Sequence, residues 1–84
     1  MTKEELVHEL LINTDIDTKL EILLESGLEI LTIKQFDYFI KIYLVNNFYV
    51  ELLYNYEINR ITHINQIDTQ DLIEKYKDYI KIVL

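Results

Sequence analysis

Apolar residues recur at helical spacing near the start of the chain. A capping-box pattern, Thr2-Lys3-Glu4-Glu5, precedes them and predicts where this helix begins. The helix is expected to end near Asn13. Its apolar stripe consists of Leu6, Val7, Leu10 and Leu11.

A second helix is predicted directly after the first. The stretch Asn13-Thr14-Asp15-Ile16-Asp17-Thr18 is rich in residues that bond their own backbone, which is typical of a turn that also caps a helix. The expected buried face consists of Leu20, Leu23 and Leu24. Gly27, the only glycine, follows Ser26 where a left-handed C-terminal cap would favour it.

From residue 28 onward the apolar pattern changes to the period of a β-strand. Four antiparallel strands are predicted, at 28–33, 38–45, 48–54 and 60–67. Asn46-Asn47 separates two of them by two residues, and asparagine tolerates the positive φ of a tight hairpin turn. The next connection is a five-residue loop, 55–59.

This hairpin turn assigns each side chain to one face of the sheet, and both faces are largely apolar. One face carries Phe39, Lys41, Tyr43, Val45, Phe48, Val50, Leu52 and Tyr54. The other carries Tyr38, Ile40, Ile42, Leu44, Tyr49, Glu51 and Leu53. A sheet with one wet face would alternate apolar and polar residues. Either helices therefore pack on both sides, or a second subunit covers one.

A closing helix is predicted after a cap at Asp68 and Thr69. Its apolar stripe consists of Leu72, Ile73, Tyr76, Ile80 and Val83. The end of the chain, 79–84, is apolar enough that we expect it to dock on the sheet or on a partner. The sequence thus predicts a single α+β domain over residues 1–84: two short N-terminal helices, a four-stranded antiparallel β-meander and a C-terminal helix packed on the sheet.

Composition narrows the classes of function. The formal net charge is −7, and residues 1–30 hold eight acidic residues against two lysines. One arginine and no basic cluster argue against nucleic-acid binding. No apolar stretch approaches the roughly 20 residues of a membrane helix, and the N-terminal residues lack a signal-peptide pattern. We therefore expect a soluble, cytoplasmic protein with no membrane partner.

Candidate catalytic and metal-binding residues are few, and no enzymatic activity is predicted. Ser26 is the only serine, cysteine is absent, and His8 and His63 lie on different elements. Asn13-x-Asp15-x-Asp17 resembles the start of a calcium loop, but the positions that need Gly and Glu hold Thr18 and Leu24. A single glycine also excludes a glycine-rich phosphate loop. No metal or cofactor is expected.

Glu51 is the one acidic residue in the middle of a predicted strand, between Val50 and Leu52. We expect it at the rim of the sheet, paired with Lys41 or Arg60.

Two surfaces are candidates for binding a partner. Tyrosine is favoured at protein interfaces because its ring packs while its hydroxyl bonds. The candidate interface tyrosines are Tyr38, Tyr43, Tyr49, Tyr54 and Tyr56. The candidate acidic surface is Glu4, Glu5, Glu9, Glu21 and Glu25.

The predicted function is a non-enzymatic interaction module that binds a protein partner or itself as a homodimer. One alternative is an acidic inhibitor or immunity-type protein, which mimics a phosphate backbone or caps a basic site. A second alternative is a small-molecule-binding domain with a pocket between helix and sheet.

The strand Phe48-Tyr49-Val50-Glu51-Leu52-Leu53-Tyr54, together with Asp37-Tyr38 and the strand that contains Tyr43, resembles a family of short uncharacterised bacterial proteins. Members of that family carry a similar Phe-Tyr-Val-Glu strand after a two-residue turn and a Thr-Asp-rich start to a final helix. The resemblance covers about residues 28–80. It implies the same fold and transfers no activity.

Overall fold

The computed structural model describes residues 2–79, except for the side chains of Lys3, Glu4, His8, Leu10 and Asn13. Its elements are α1 (Lys3–Asn13), α2 (Ile16–Ser26), β1 (Gly27–Gln35), β2 (Tyr38–Val45), β3 (Phe48–Asn55), β4 (Arg60–Ile67) and α3 (Thr69–Tyr76). The four strands form one antiparallel sheet in the order β1-β2-β3-β4. The predicted α+β architecture is confirmed. The predicted docking of 79–84 falls mostly outside the described residues.

Each helix begins at a side chain that caps its free backbone N–H groups. Thr2, Asp15 and Asp68 each accept a hydrogen bond from the backbone N–H three residues later, at 3.1, 2.8 and 2.8 Å. These bonds confirm the predicted helix starts. The N–H of Thr18, followed by its side chain, lowers the pKa of Asp15 by stabilising the carboxylate. Asp15 therefore serves as a helix cap, in agreement with the interpretation preferred over a calcium loop.

The three helices are short, with 11, 11 and 8 residues. A helix needs about 20 residues to cross a bilayer. Within residues 2–79, no helix has the length and apolar character to do so. The cytoplasmic location stays a prediction.

The central hairpin has the register that the sequence predicts. Val45 pairs with Phe48 across the Asn46-Asn47 turn, and the pairing continues without interruption to Tyr38 opposite Asn55. Asn46 adopts a φ of 55°, the left-handed conformation that asparagine tolerates. The two predicted faces of this hairpin are therefore the two faces of the sheet.

Helices pack on both faces of the sheet, as one of the two predicted alternatives expects, and coverage by a second subunit stays a prediction. Helices α1 and α2 pack on one face, and α3 packs on the other. The buried residues on the α1–α2 side are Leu11, Leu23, Tyr43, Val45, Val50, Leu52 and Ile64. Those on the α3 side are Ile33, Ile40, Ile42, Leu72 and Tyr76.

Three described residues of the predicted apolar helix faces are exposed. Leu6 is 47% exposed, Leu24 is 69% exposed and Ile73 is 48% exposed. Successive residues of a helix point about 100° apart, so a helix that contacts a sheet on one side cannot bury every position of a wide apolar stripe. Leu23 and Leu72, which belong to the same predicted faces, are buried as expected.

Gly27 differs from its prediction. Its φ and ψ are −95° and 149°, so it is extended rather than left-handed, and it is the first residue of β1. Its N–H donates to the carbonyl oxygen of Leu23, which joins helix α2 to strand β1 without a loop. A Cβ atom here would lie 2.6 Å from that carbonyl oxygen and 3.2 Å from Cδ1 of Tyr43. Close packing, not a positive φ, therefore explains the glycine.

Gly27→Ala is expected to lower the free energy of unfolding by about 1–3 kcal/mol, because the new methyl group overlaps a backbone oxygen and the chain must shift. Gly27→Asn should be at least as damaging, whereas a left-handed cap would accept asparagine. Urea denaturation measures both. Ser26→Ala, at the exposed neighbouring position, is the control and should change stability little. If Gly27→Asn leaves the free energy of unfolding unchanged, the result would support the predicted left-handed cap instead.

Candidate functional site

An apolar groove lies on the α3 side of the sheet, beside the helix. Helix α3 has only eight residues and covers part of this face. The groove has a volume of about 340 Å³, and its lining includes Ile30, Leu31, Tyr49, Leu72, Ile73 and Tyr79. At its rim, Ile30, Ile73 and Tyr79 are 45%, 48% and 47% exposed. We call this set the apolar groove.

A β-bulge creates one wall of the apolar groove. Strand β1 pairs Glu29 with Tyr43 and then Leu31 with Ile42, so Ile30 has no partner on β2. Without this extra residue Ile30 would stand opposite Ile42 and continue the alternation of the strand. With it, Leu31 takes that half-buried position and Ile30 stays exposed.

The exposed apolar surface extends from the groove along the sheet. Leu28 is 63% exposed and pairs with Leu44, which in turn pairs with Tyr49 at the groove. Leu28, Ile30, Ile73 and Tyr79 therefore belong to one uncharged surface. Single exposed apolar residues are normal on soluble proteins, but a contiguous group of them indicates a binding surface.

An acidic pocket lies on the other side of α3. Its volume is about 560 Å³, and its lining includes Glu51, Asn65, Asp68, Asp71, Glu74 and Lys75. The charge of Asp68, followed by burial, raises the pKa of Asp71. Asp68, Asp71 and Glu74 are exposed, and none forms a salt bridge with another described side chain. This pocket therefore presents net negative charge to solvent.

Glu51 lies at the base of the acidic pocket and is only 9% exposed. Its carboxylate accepts hydrogen bonds from Nζ of Lys75 at 3.0 and 3.2 Å and from the hydroxyl of Tyr76. Burial, reinforced by the bond to Glu51, raises the pKa of Tyr76, so its hydroxyl stays protonated and donates. Glu51 therefore fastens helix α3 to strand β3.

The predicted position and partners of Glu51 are wrong. Glu51 is buried under α3 rather than at the rim of the sheet. Lys41 points to the opposite face, where its Nζ lies 2.9 Å from Oε1 of Glu29. Arg60 is exposed and pairs in register with Asn55. The hairpin register already separates Lys41 from Glu51, and that signal could have excluded the pair.

The candidate interface tyrosines do not form one surface. Tyr43 and Tyr54 belong to the core on the α1–α2 side, and Tyr43 is buried. Tyr38 and Tyr49 are half-buried on the α3 side, near opposite ends of β2 and β3. Tyr56 is in the β3–β4 loop. Of the five, only Tyr49 lines the apolar groove.

Tyr56 holds the β1–β2 turn in place. Its hydroxyl donates to the carbonyl oxygen of Phe36 at 2.7 Å, and its ring lies 5.4 Å from the ring of Phe39. Phe36 has a φ of 54° and is 86% exposed. A left-handed conformation is uncommon for an aromatic residue and costs backbone energy. The role of Tyr56 here is therefore to stabilise a strained turn.

The candidate acidic surface lies on the other side of the sheet from the groove. Glu5, Glu9, Glu21 and Glu25 are exposed on α1 and α2. None of the four makes a salt bridge with another described side chain. The side chain of Glu4 lies outside the described residues.

The remaining candidates do not assemble into a reactive site in the described part of the chain. Ser26 is exposed at the end of α2. His63 is exposed, with Nδ1 3.1 Å from Oγ1 of Thr62, and the side chain of His8 lies outside the described residues. Among the side chains that the structure describes, no group of three or more histidines and carboxylates is arranged to hold a metal ion.

Fold and surface together define a class: an α+β domain whose antiparallel meander lies between two N-terminal helices and one C-terminal helix, with an apolar groove beside the latter. Searches against protein families, curated proteins and solved structures find no match. The resemblance to a family of short bacterial proteins stays a prediction.

Proposed function

We propose that this protein is a non-enzymatic interaction module that binds a protein partner through the apolar groove. The observation that carries the proposal is the uncharged surface formed by Ile30, Ile73 and Tyr79 at the groove. Leu28 extends this surface along the same face of the sheet. These side chains expose apolar area on a chain whose net charge is −7. Fully burying one exposed aliphatic side chain contributes about 1.5–3 kcal/mol, so a partner that covers several of them gains binding energy.

Site-specific photocrosslinking tests this proposal. A photoreactive amino acid is placed at Ile73, in the groove, or at Ile12, which is 55% exposed on α1 across the sheet. In the source cells, we expect a discrete protein adduct from position 73 and none from position 12. Ile30→Asp should abolish that adduct, because it places a charge in the groove. An adduct of equal strength from both positions, or one that survives Ile30→Asp, would overturn the proposal.

The mass of the adduct identifies the kind of partner. An adduct of twice the mass of the chain would make the protein a homodimer through the groove. A different mass would indicate another protein. Light scattering over a concentration series, with the Ile30→Asp variant alongside, measures self-association independently.

The acidic inhibitor is the second candidate, and it is favoured by the exposed carboxylates of Glu5, Glu9, Glu21 and Glu25, which form no salt bridge with a described side chain. It would use the opposite side of the molecule. Exchanging these four residues for glutamine would then abolish partner binding, while Ile30→Asp would leave it intact. The two candidates therefore give opposite results with the same pair of variants.

A further inference from the structure

The apolar groove and the acidic pocket are joined by a cleft that passes the N-terminal end of α3. The cleft has a volume of about 180 Å³. It shares Tyr49 and Thr69 with the groove, and it shares Gln66, Ile67 and Asp68 with the pocket. One continuous surface thus runs from exposed apolar side chains to exposed carboxylates.

We propose that the partner segment which docks here is amphipathic and basic, with apolar side chains in the groove and a lysine or arginine over the acidic pocket. This inference rests on the proposed function, because it assumes that the groove binds a protein.

The charges around the surface favour such a segment. The groove lining is uncharged, whereas Asp68, Asp71 and Glu74 are exposed beside it without a salt-bridge partner among the described side chains. The nearby cation Lys75 is already bonded to Glu51. A basic residue would therefore meet negative charge that no described salt bridge balances, and a segment of matching pattern would gain from both contacts.

A second copy of the chain fits this surface less well. It would bring the same exposed carboxylates and a further net charge of −7. Charges of like sign disfavour that encounter.

Labelled synthetic peptides test the inference by fluorescence anisotropy. The probe is an amphipathic peptide of leucine and lysine. One matched peptide has glutamine in place of lysine, and another has serine in place of leucine. We expect the leucine–lysine peptide to bind most tightly, the glutamine peptide about tenfold more weakly, and the serine peptide not to bind measurably.

Two sets of variants locate the contact. Asp68→Asn, Asp71→Asn and Glu74→Gln together should weaken the leucine–lysine peptide about tenfold and leave the glutamine peptide unchanged. Asparagine still caps α3, so the helix is retained. The control set, Glu5→Gln, Glu9→Gln and Glu21→Gln, removes the same charge across the sheet and should leave binding unchanged.

The outcomes separate this inference from the proposed function. Equal binding of the lysine and glutamine peptides would overturn the basic partner and leave the groove in place. Binding that survives Ile30→Asp with Ile73→Asp would overturn both. Equal weakening by the control set would also overturn the inference, since it would indicate attraction to total charge. Tighter binding after Ile82→Asp would mean that the chain's own residues 80–84 compete for the groove. That result would also overturn the inference.

Discussion

Leu23→Ala should lower the free energy of unfolding by about 2–5 kcal/mol, the range for truncating a fully buried leucine. Leu23 has no exposed surface and lies in the core formed by α1, α2 and the sheet. The substitution removes apolar contact and leaves a cavity that the surrounding side chains fill only in part. Urea denaturation followed by circular dichroism measures the loss.

Leu24→Ala is the matched control for this prediction. Leu24 is the next residue on the same helix and is 69% exposed, so its truncation should change stability by no more than about 0.5 kcal/mol. Equal losses at the two positions would mean that α2 packs on the sheet with a different face.

Glu51→Ala is expected to destabilise the fold by about 1–3 kcal/mol, because the hydroxyl of Tyr76 loses its acceptor in a buried environment. The loss should be reduced in Glu51→Gln, since an amide oxygen can still accept from that hydroxyl. Glu57→Ala, at an exposed loop position, is the control and should have little effect. Denaturant titration of the three variants measures these differences.

A double-mutant cycle then identifies the partners of Glu51. The effects of Glu51→Ala and Lys75→Ala should not add, because the two side chains are bonded to each other. Those of Glu51→Ala and Lys41→Ala should add, because these residues lie on opposite faces of the sheet. A non-additive effect of Glu51→Ala and Lys41→Ala would instead support the predicted ion pair between these two residues at the rim of the sheet.

Local rules were sufficient where a feature depends on neighbours in the chain. The caps at Thr2, Asp15 and Asp68 need only a side-chain oxygen and a backbone N–H three residues away. The hairpin needs only Asn46-Asn47 and strands of alternating period on either side. The sequence therefore predicts the hairpin and the first cap at the right residues, and it places the other two caps within the segments 13–18 and 68–69.

The candidate site was harder to predict because it depends on a bulge. The strand prediction at 28–33 assumed unbroken alternation, which gives no reason to expose Ile30. The sequence does contain a signal, since the apolar residues Leu28 and Ile30 are out of phase with Leu31 and Ile33. A change of phase within a strand indicates a bulge.

The sequence by itself determined the order of the elements, the helix caps, the hairpin register and the apolar character of both sheet faces, because these follow from local bonding and from the period of the chain. Only the tertiary structure decided that helices cover both faces, that Glu51 is bonded to α3, that Gly27 is required by close packing, and that Ile30 and Ile73 stay exposed at a groove. Each of these depends on contacts between segments far apart in the chain, and periodicity along one segment does not specify where another segment packs against it.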